Sequence, residues 1–145
     1  MLTKEKEKEL MYLAIEASEK SYSPYSNFRV GAAILCDDGE IFTGTNVENA
    51  SYGAGICAER SAAVKAVSTG NKKFKAVAIF GSPKDATKEE LQYAFPCGIC
   101  RQFLNEFADD MIVLVGKTIE DYQKFSFNDL LPESFGPKDL HMEEQ

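Results

Sequence analysis

A chain of 145 residues suits one domain, expected to span residues 1–145, and at this size folding buries about two thirds of the unfolded surface without disulfide staples. With 44% hydrophobic and 27% charged residues it is not a disordered tail. The 23 acidic residues against 16 basic ones, a net charge of −7, argue against nucleic-acid binding or adhesion to an anionic membrane.

Leu10, Leu13, Ala14 and Ala17 recur at i, i+3, i+4 and i+7, which predicts an amphipathic helix of roughly four turns. The Lys/Glu run from Lys4 to Glu9 leads into it as a solvated face, and the helix ends before Ser23-Pro24-Tyr25-Ser26, because Pro24 cannot continue it. Phe28 to Cys36 and Ile41 to Thr45 read as a hairpin turned at Asp37-Asp38-Gly39. Asn46 to Ile56 is a polar loop. Ala58 to Ser68 reads as a helix with Gly70 as its C′ residue. Lys75 to Phe80 is a short strand, and Gly81 to Phe95 a long loop with a helical turn at Lys88 to Tyr93. Gly98 to Phe107 is a helix and Met111 to Val115 a buried strand. Phe125 to Phe127 is a further short strand, followed by a helical turn at Asn128 to Leu131 that Pro132 stops. A hairpin followed by βα alternation predicts a mixed sheet with helices on both faces.

No apolar run approaches the roughly 20 residues of a membrane span. Met1 to Glu9 is charged, with no apolar stretch behind it, so a cytoplasmic location is expected. There the four cysteines, Cys36, Cys57, Cys97 and Cys100, stay reduced, and metal or catalysis outranks disulfides. His141 is the sole histidine, which excludes chemistry that needs two.

Pro96-Cys97-Gly98-Ile99-Cys100 opens one predicted helix and Cys57-Ala58-Glu59 opens another. A Cys-x-x-Cys pair alone fits a redox dithiol, half of a structural zinc site, or chance. The metal reading uses three thiols and leaves the fourth corner of a zinc tetrahedron open to water, the mark of a catalytic site. Helix N-termini favour the thiolate, and Arg60 is placed to hydrogen-bond ligand sulfurs. Three thiolates and one Zn²⁺ sum to −1, so the metal acidifies water less than one held by neutral imidazoles. A separate base is then needed, and Glu59 is the candidate. Residues i and i+2 do not share a helix face, so Cys57 and Glu59 meet only if Cys57 sits at the helix edge.

These segments resemble the zinc signature of the cytidine deaminase family. The resemblance extends to Pro24-Tyr25-Ser26-Asn27-Phe28-Arg29-Val30-Gly31-Ala32-Ala33, to Asn46-Val47-Glu48-Asn49-Ala50-Ser51-Tyr52, and to Leu130-Leu131-Pro132 with Phe135. It covers roughly Tyr22 to Phe135, in matching order. It implies a three-layer α/β/α sandwich with a five-stranded mixed sheet, assembled as a homotetramer. It also implies hydrolytic deamination of cytidine and deoxycytidine to uridine and deoxyuridine, a step of pyrimidine salvage that releases ammonia. On this resemblance Cys57, Cys97 and Cys100 hold one Zn²⁺ per subunit and Glu59 carries the protons. Phe28 packs on the pyrimidine, Asn46 and Glu48 bond the ribose hydroxyls, and the Ala58 backbone contacts the base. Tyr52 and Phe135 are similar to residues that reach a neighbouring subunit's site.

Gly81 to Phe95 is longer than the corresponding loop of the family, and Phe95 stands where a Ser often precedes the Pro-Cys pair. Cys36 matches no ligand position and reads as a small buried hydrophobe; His141 reads as exposed and idle. Beside an editing deaminase acting on RNA or DNA, which the net charge of −7 disfavours, two other readings stand next to deamination of cytidine. One is a deaminase of a modified or antibiotic cytosine nucleoside. The other is a non-catalytic zinc or redox module, which would recruit all four cysteines and need no Glu59.

Overall fold

The computed structural model describes residues 2–141, apart from the side chain at position 109. The elements run α1 (Lys4–Ser18), β1 (Phe28–Cys36), β2 (Ile41–Thr45), α2 (Ala58–Ser68), β3 (Phe74–Pro83), α3 (Gly98–Asn105), β4 (Ala108–Gly116), β5 (Tyr122–Ser126) and α4 (Phe127–Leu130). Short 3₁₀ turns lie at Tyr52–Ala54, Lys88–Glu90 and Pro137–Leu140. The sheet order is β2-β1-β3-β4-β5, with β3 and β4 parallel and every other pair antiparallel. The expected five-stranded mixed sheet is therefore present.

Alternation along the central strands sorts the core into two layers. Ala33, Leu35, Ala76, Ala78, Phe80 and Leu114 face α1, where they meet Leu10, Met11 and Ala14. Ala32, Ile34, Val77, Ile79, Val113 and Val115 face the opposite side, against Ala58, Ala62, Ala63 and Ala66 of α2 and Leu104 of α3. Helices cover both faces, as the βα alternation predicts. They lie close because glycine clears the way. A Cβ at Gly31 would stand 1.9 Å from the Ala14 carbonyl oxygen of α1, and one at Gly44 would stand 2.4 Å from the Ala62 nitrogen of α2.

Four expectations need correction. The Lys4–Glu9 run is helical but not wholly solvated. Glu7 is buried, accepting from Tyr122 Oη at 2.7 Å and from Lys124 Nζ at 2.8 Å. Strand β3 runs on through Pro83, because Gly81, Ser82 and Pro83 pair with Val30, Arg29 and Phe28. The turn expected at Lys88 to Tyr93 closes after Glu90, where the Glu90 carboxylate and Thr87 bond each other. The last strand ends at Ser126, and Phe127 turns inward as the first residue of α4. Cys36 is buried and His141 exposed, as expected.

The parallel β3–β4 pair decides where the chemistry lies. Helix α2 leads into β3 and α3 leads into β4. Parallel strands point the two helices the same way, so their N-termini meet at one end of the sheet.

Candidate active site

Cys57 is the N-cap of α2, with extended backbone (φ −80°, ψ 158°), and Cys97 is the N-cap of α3 in nearly the same conformation (φ −69°, ψ 167°). That geometry settles how Cys57 and Glu59 share a site. The Cys57 side chain leaves the chain before the helical rotation starts, while Glu59 lies inside the first turn, buried at 4% exposure. Cys100, one turn into α3, is fully buried.

The sulfurs of Cys57, Cys97 and Cys100 lie within 4.8 Å of one another, with Cys57 and Cys97 3.8 Å apart. Two sulfurs on a tetrahedral zinc ion, each at about 2.3 Å, stand about 3.8 Å apart. The donor set fits a thiophilic metal. Arg60 adds a second sign of fit: its Nη2 donates to Cys57 Sγ at 3.7 Å, and its buried Nε has no acceptor among the described residues. A guanidinium held this way answers negative sulfur. Hydrogen bonding from Cys100, with help from Arg60, pulls the Cys57 thiol down to about 5. Cys100 moves the other way, held up first by its bond to Cys57 and then by burial. Burial pushes the Glu59 carboxyl up to about 7. The three cysteines are thus placed where they could hold a metal ion, with a buried carboxyl on the same helix as Cys57. Cys36 stands apart in the core, its thiol raised to about 11 by burial.

A cavity of ≈ 620 Å³ opens onto this cluster. Its wall includes Cys57, Cys97, Glu59 and Arg60, and on the far side Phe28, Asn46, Glu48 and Tyr52. Phe28 begins β1. The Asn46 amide fixes this strand, accepting from Val30 N at 2.9 Å and from the Ser21 hydroxyl, and donating to the Phe28 carbonyl at 2.9 Å. Glu48 holds the preceding turn. It accepts from the amides of Tyr25 (2.9 Å) and Ser26 (3.1 Å) and from the Ser26 hydroxyl. The Ser26 hydroxyl, ahead of the two amides, keeps the Glu48 carboxyl below the ordinary carboxylate range. Each of these side chains spends two hydrogen bonds on backbone and one on a serine hydroxyl, which motif reading did not reveal.

The remaining candidates lie elsewhere. Ala58 is buried at the start of α2. Tyr52 stands at the rim, 81% exposed, its ring edge-on to Tyr25. Phe135 is not part of this wall. Its carbonyl accepts from Gln102 and Asn105 of α3, leaving the ring 59% exposed. The sequence reading missed Ser26, whose partnership with Glu48 spans 22 positions, and Ala94, which with the flagged Phe95 lines the cavity from the long loop. The unusual Phe95 beside the Pro-Cys pair was the available signal.

Residues 4–116 match the family model of the cytidine and deoxycytidylate deaminase zinc-binding region. A probable cytidine deaminase of Dictyostelium discoideum is 46% identical over 127 residues, covering 88% of this chain and 82% of that one. A cytidine deaminase of Halalkalibacterium halodurans is 41% identical over 129 residues, 88% of this chain and 92% of its own. The crystal structure of the Burkholderia pseudomallei cytidine deaminase superposes with a TM-score of 0.77 at 41% identity, covering 88% and 97% of the two chains. With the model match running from α1 through β4, across both cysteine-capped helices, the chain belongs to the cytidine deaminase family.

Proposed function

We propose that this protein hydrolyses cytidine and deoxycytidine to uridine and deoxyuridine with release of ammonia, as a step of pyrimidine salvage in the cytoplasm. The observation that carries the reading is Glu59, a buried carboxyl on the wall of a nucleoside-sized cavity beside three converging thiols. Cys57, Cys97 and Cys100 would hold one zinc ion per subunit, which when bound supplies an acidified water. Glu59 accepts a proton from the attacking water and delivers it to ring N3, which makes C4 electrophilic. It then takes the remaining proton from the hydroxyl now on C4 and conveys it to the departing amino group. Water adds its oxygen to C4, the C4–N bond breaks, and ammonia leaves. One carboxyl serves as base and acid in turn because each proton it takes is returned within the cycle.

Phe28 packs on the pyrimidine and the Ala58 backbone meets the base. Glu48 has about one acceptor position left and Asn46 one N–H, enough for one ribose hydroxyl each. The span 1–145 acts as one deaminase domain. The exposed rings of Tyr52 and Phe135 suit contact with neighbouring subunits of a homotetramer, Phe135 being carried outward on α3. The substrate is a free nucleoside, with neither nucleic acid nor membrane as partner.

Ammonia release from cytidine by the purified protein tests the reading, with Glu59→Ala beside it and zinc content measured in both. Turnover by the wild type, and a loss of at least about a thousandfold in the zinc-loaded variant, are expected. A zinc-loaded wild type that is silent on cytidine would overturn the reading and favour a modified nucleoside. Equal activity of the two proteins would remove Glu59 from the mechanism.

A further inference from the structure

The segment from Lys84 to Pro96 leaves β3 and returns to Cys97, anchored at several places along the way. Leu91 packs into the apolar layer beneath α1. The Tyr93 hydroxyl donates to Asp121 Oδ1 at 2.5 Å, and the Lys117 ammonium lies 4.6 Å from the centre of its ring. Both partners belong to the β4–β5 turn, which Lys117 N closes onto the Asp121 carbonyl at 2.9 Å. The Phe95 ring meets Phe125 of β5 edge-on at 5.4 Å. Between these anchors, Ala94 reaches the cavity and lies over Gly81. A Cβ at position 81 would stand 2.8 Å from the Ala94 methyl and 2.9 Å from Cε1 of Phe28. No side chain fits there while the Phe28 ring and Ala94 keep their places.

We infer that Tyr93 and Asp121 are positioning residues for the base. They hold Ala94 and Phe95 as an apolar wall that backs the Phe28 ring against the bare backbone of Gly81, and this Gly81–Phe28–Ala94 stack sets the room given to the pyrimidine. The inference rests on the proposed nucleoside reading. It assigns to the β4–β5 turn, which contributes nothing to the cavity wall, a share in substrate affinity. The wall meets a flat heteroaromatic ring and no reacting atom, so it serves ground state and transition state alike. Its loss raises KM and leaves kcat in place.

The test is steady-state kinetics on cytidine, with zinc content and melting temperature measured for each protein. Tyr93→Phe and Asp121→Ala each remove the same hydrogen bond. Each is expected to raise KM roughly three- to tenfold with kcat within about twofold, and the double variant to do no worse than either alone. Gly81→Ala is expected to raise KM further, and adding Ala94→Gly to restore part of the loss by clearing the 2.8 Å contact. If KM is unchanged in Tyr93→Phe and Asp121→Ala, the inference fails. It also fails if their effects add, or if kcat and zinc content fall together while KM holds. A zinc-loaded wild type that is silent on cytidine brings down the nucleoside reading first and this inference with it. Turnover by the wild type with unresponsive variants brings down the inference alone.

Discussion

Arg60 is the residue on which the charge balance of the site turns. Its guanidinium donates to Cys57, and its own pKa rises first because of that bond. Removing it takes from three sulfurs and a buried carboxyl the guanidinium that donates to Cys57. Arg60→Ala is expected to lose metal to a chelator about ten- to a hundredfold more readily than the wild type, read by a zinc-release dye. Arg60→Lys should recover only part of this, because an ammonium lacks the planar fork. The proposed ribose contacts of Asn46 and Glu48 yield a second expectation. Polar groups built for a sugar are left unpaired by the free base, so kcat/KM for cytosine should fall at least about a hundredfold below that for cytidine; near-equal values would remove Asn46 and Glu48 from substrate binding. The meeting of Cys57, Cys97 and Cys100 was legible in the sequence because both cysteine motifs open predicted helices. The work of Asn46 and Glu48 on the backbone was not, since their partners lie 16 to 23 positions away and emerge only on folding.

At the scale of elements, helix α1 and edge strand β5 are joined by one cluster. Glu7 accepts from Tyr122 and Lys124, and a second ion pair, Lys8 with Glu120 at 3.1 Å, lies nearby. Burial alone would raise the Glu7 carboxyl, but the bonds from Lys124 and Tyr122 hold it below its ordinary value of 4.5. A folded-state pKa below the unfolded one stabilises the fold above the unfolded value, and that stability disappears as pH falls through the folded value. The gap in unfolding free energy between wild type and Glu7→Gln should therefore be full above pH 4.5, about 1–2 kcal/mol, and close below it. A pH-independent gap in urea titrations would show that Glu7 acts through packing alone. Gly31→Ala should cost more, about 2–4 kcal/mol, because its Cβ would meet a helix carbonyl and not a flexible side chain. Two strand-forming runs on either side of Asp37-Asp38-Gly39 made β1 and β2 legible to the residue. The extension of β3 was hidden because Gly81-Ser82-Pro83 carry turn chemistry, and pairing with β1 overrode it. The burial of Glu7 was hidden because its cationic partner lies 117 positions away.

For the molecule as a whole, the apolar side chains left outside the core carry the expectation of assembly. Ile99 on α3 is 66% exposed, and Phe135 lies on the same helix through Gln102 and Asn105. Light scattering should give about four times the chain mass of 16.1 kDa, and Ile99→Asp should shift it toward smaller species with loss of activity. A fully active monomer would refute the tetramer. The architecture was legible because βα alternation after a hairpin admits few arrangements; the course of the 84–96 segment was not, because aromatic contacts to β5 and its turn determine it.

The parallel pairing of β3 with β4 has a consequence for the order in which the molecule assembles. The metal thiols come from two helices whose meeting depends on that one long-range pairing, so they converge only after the sheet centre has formed. A metal bound there would then act as a clasp closed late and not as a nucleus. Stripping it should loosen the amides at the starts of α2 and α3 in hydrogen exchange while those of β1, β3 and β4 stay protected.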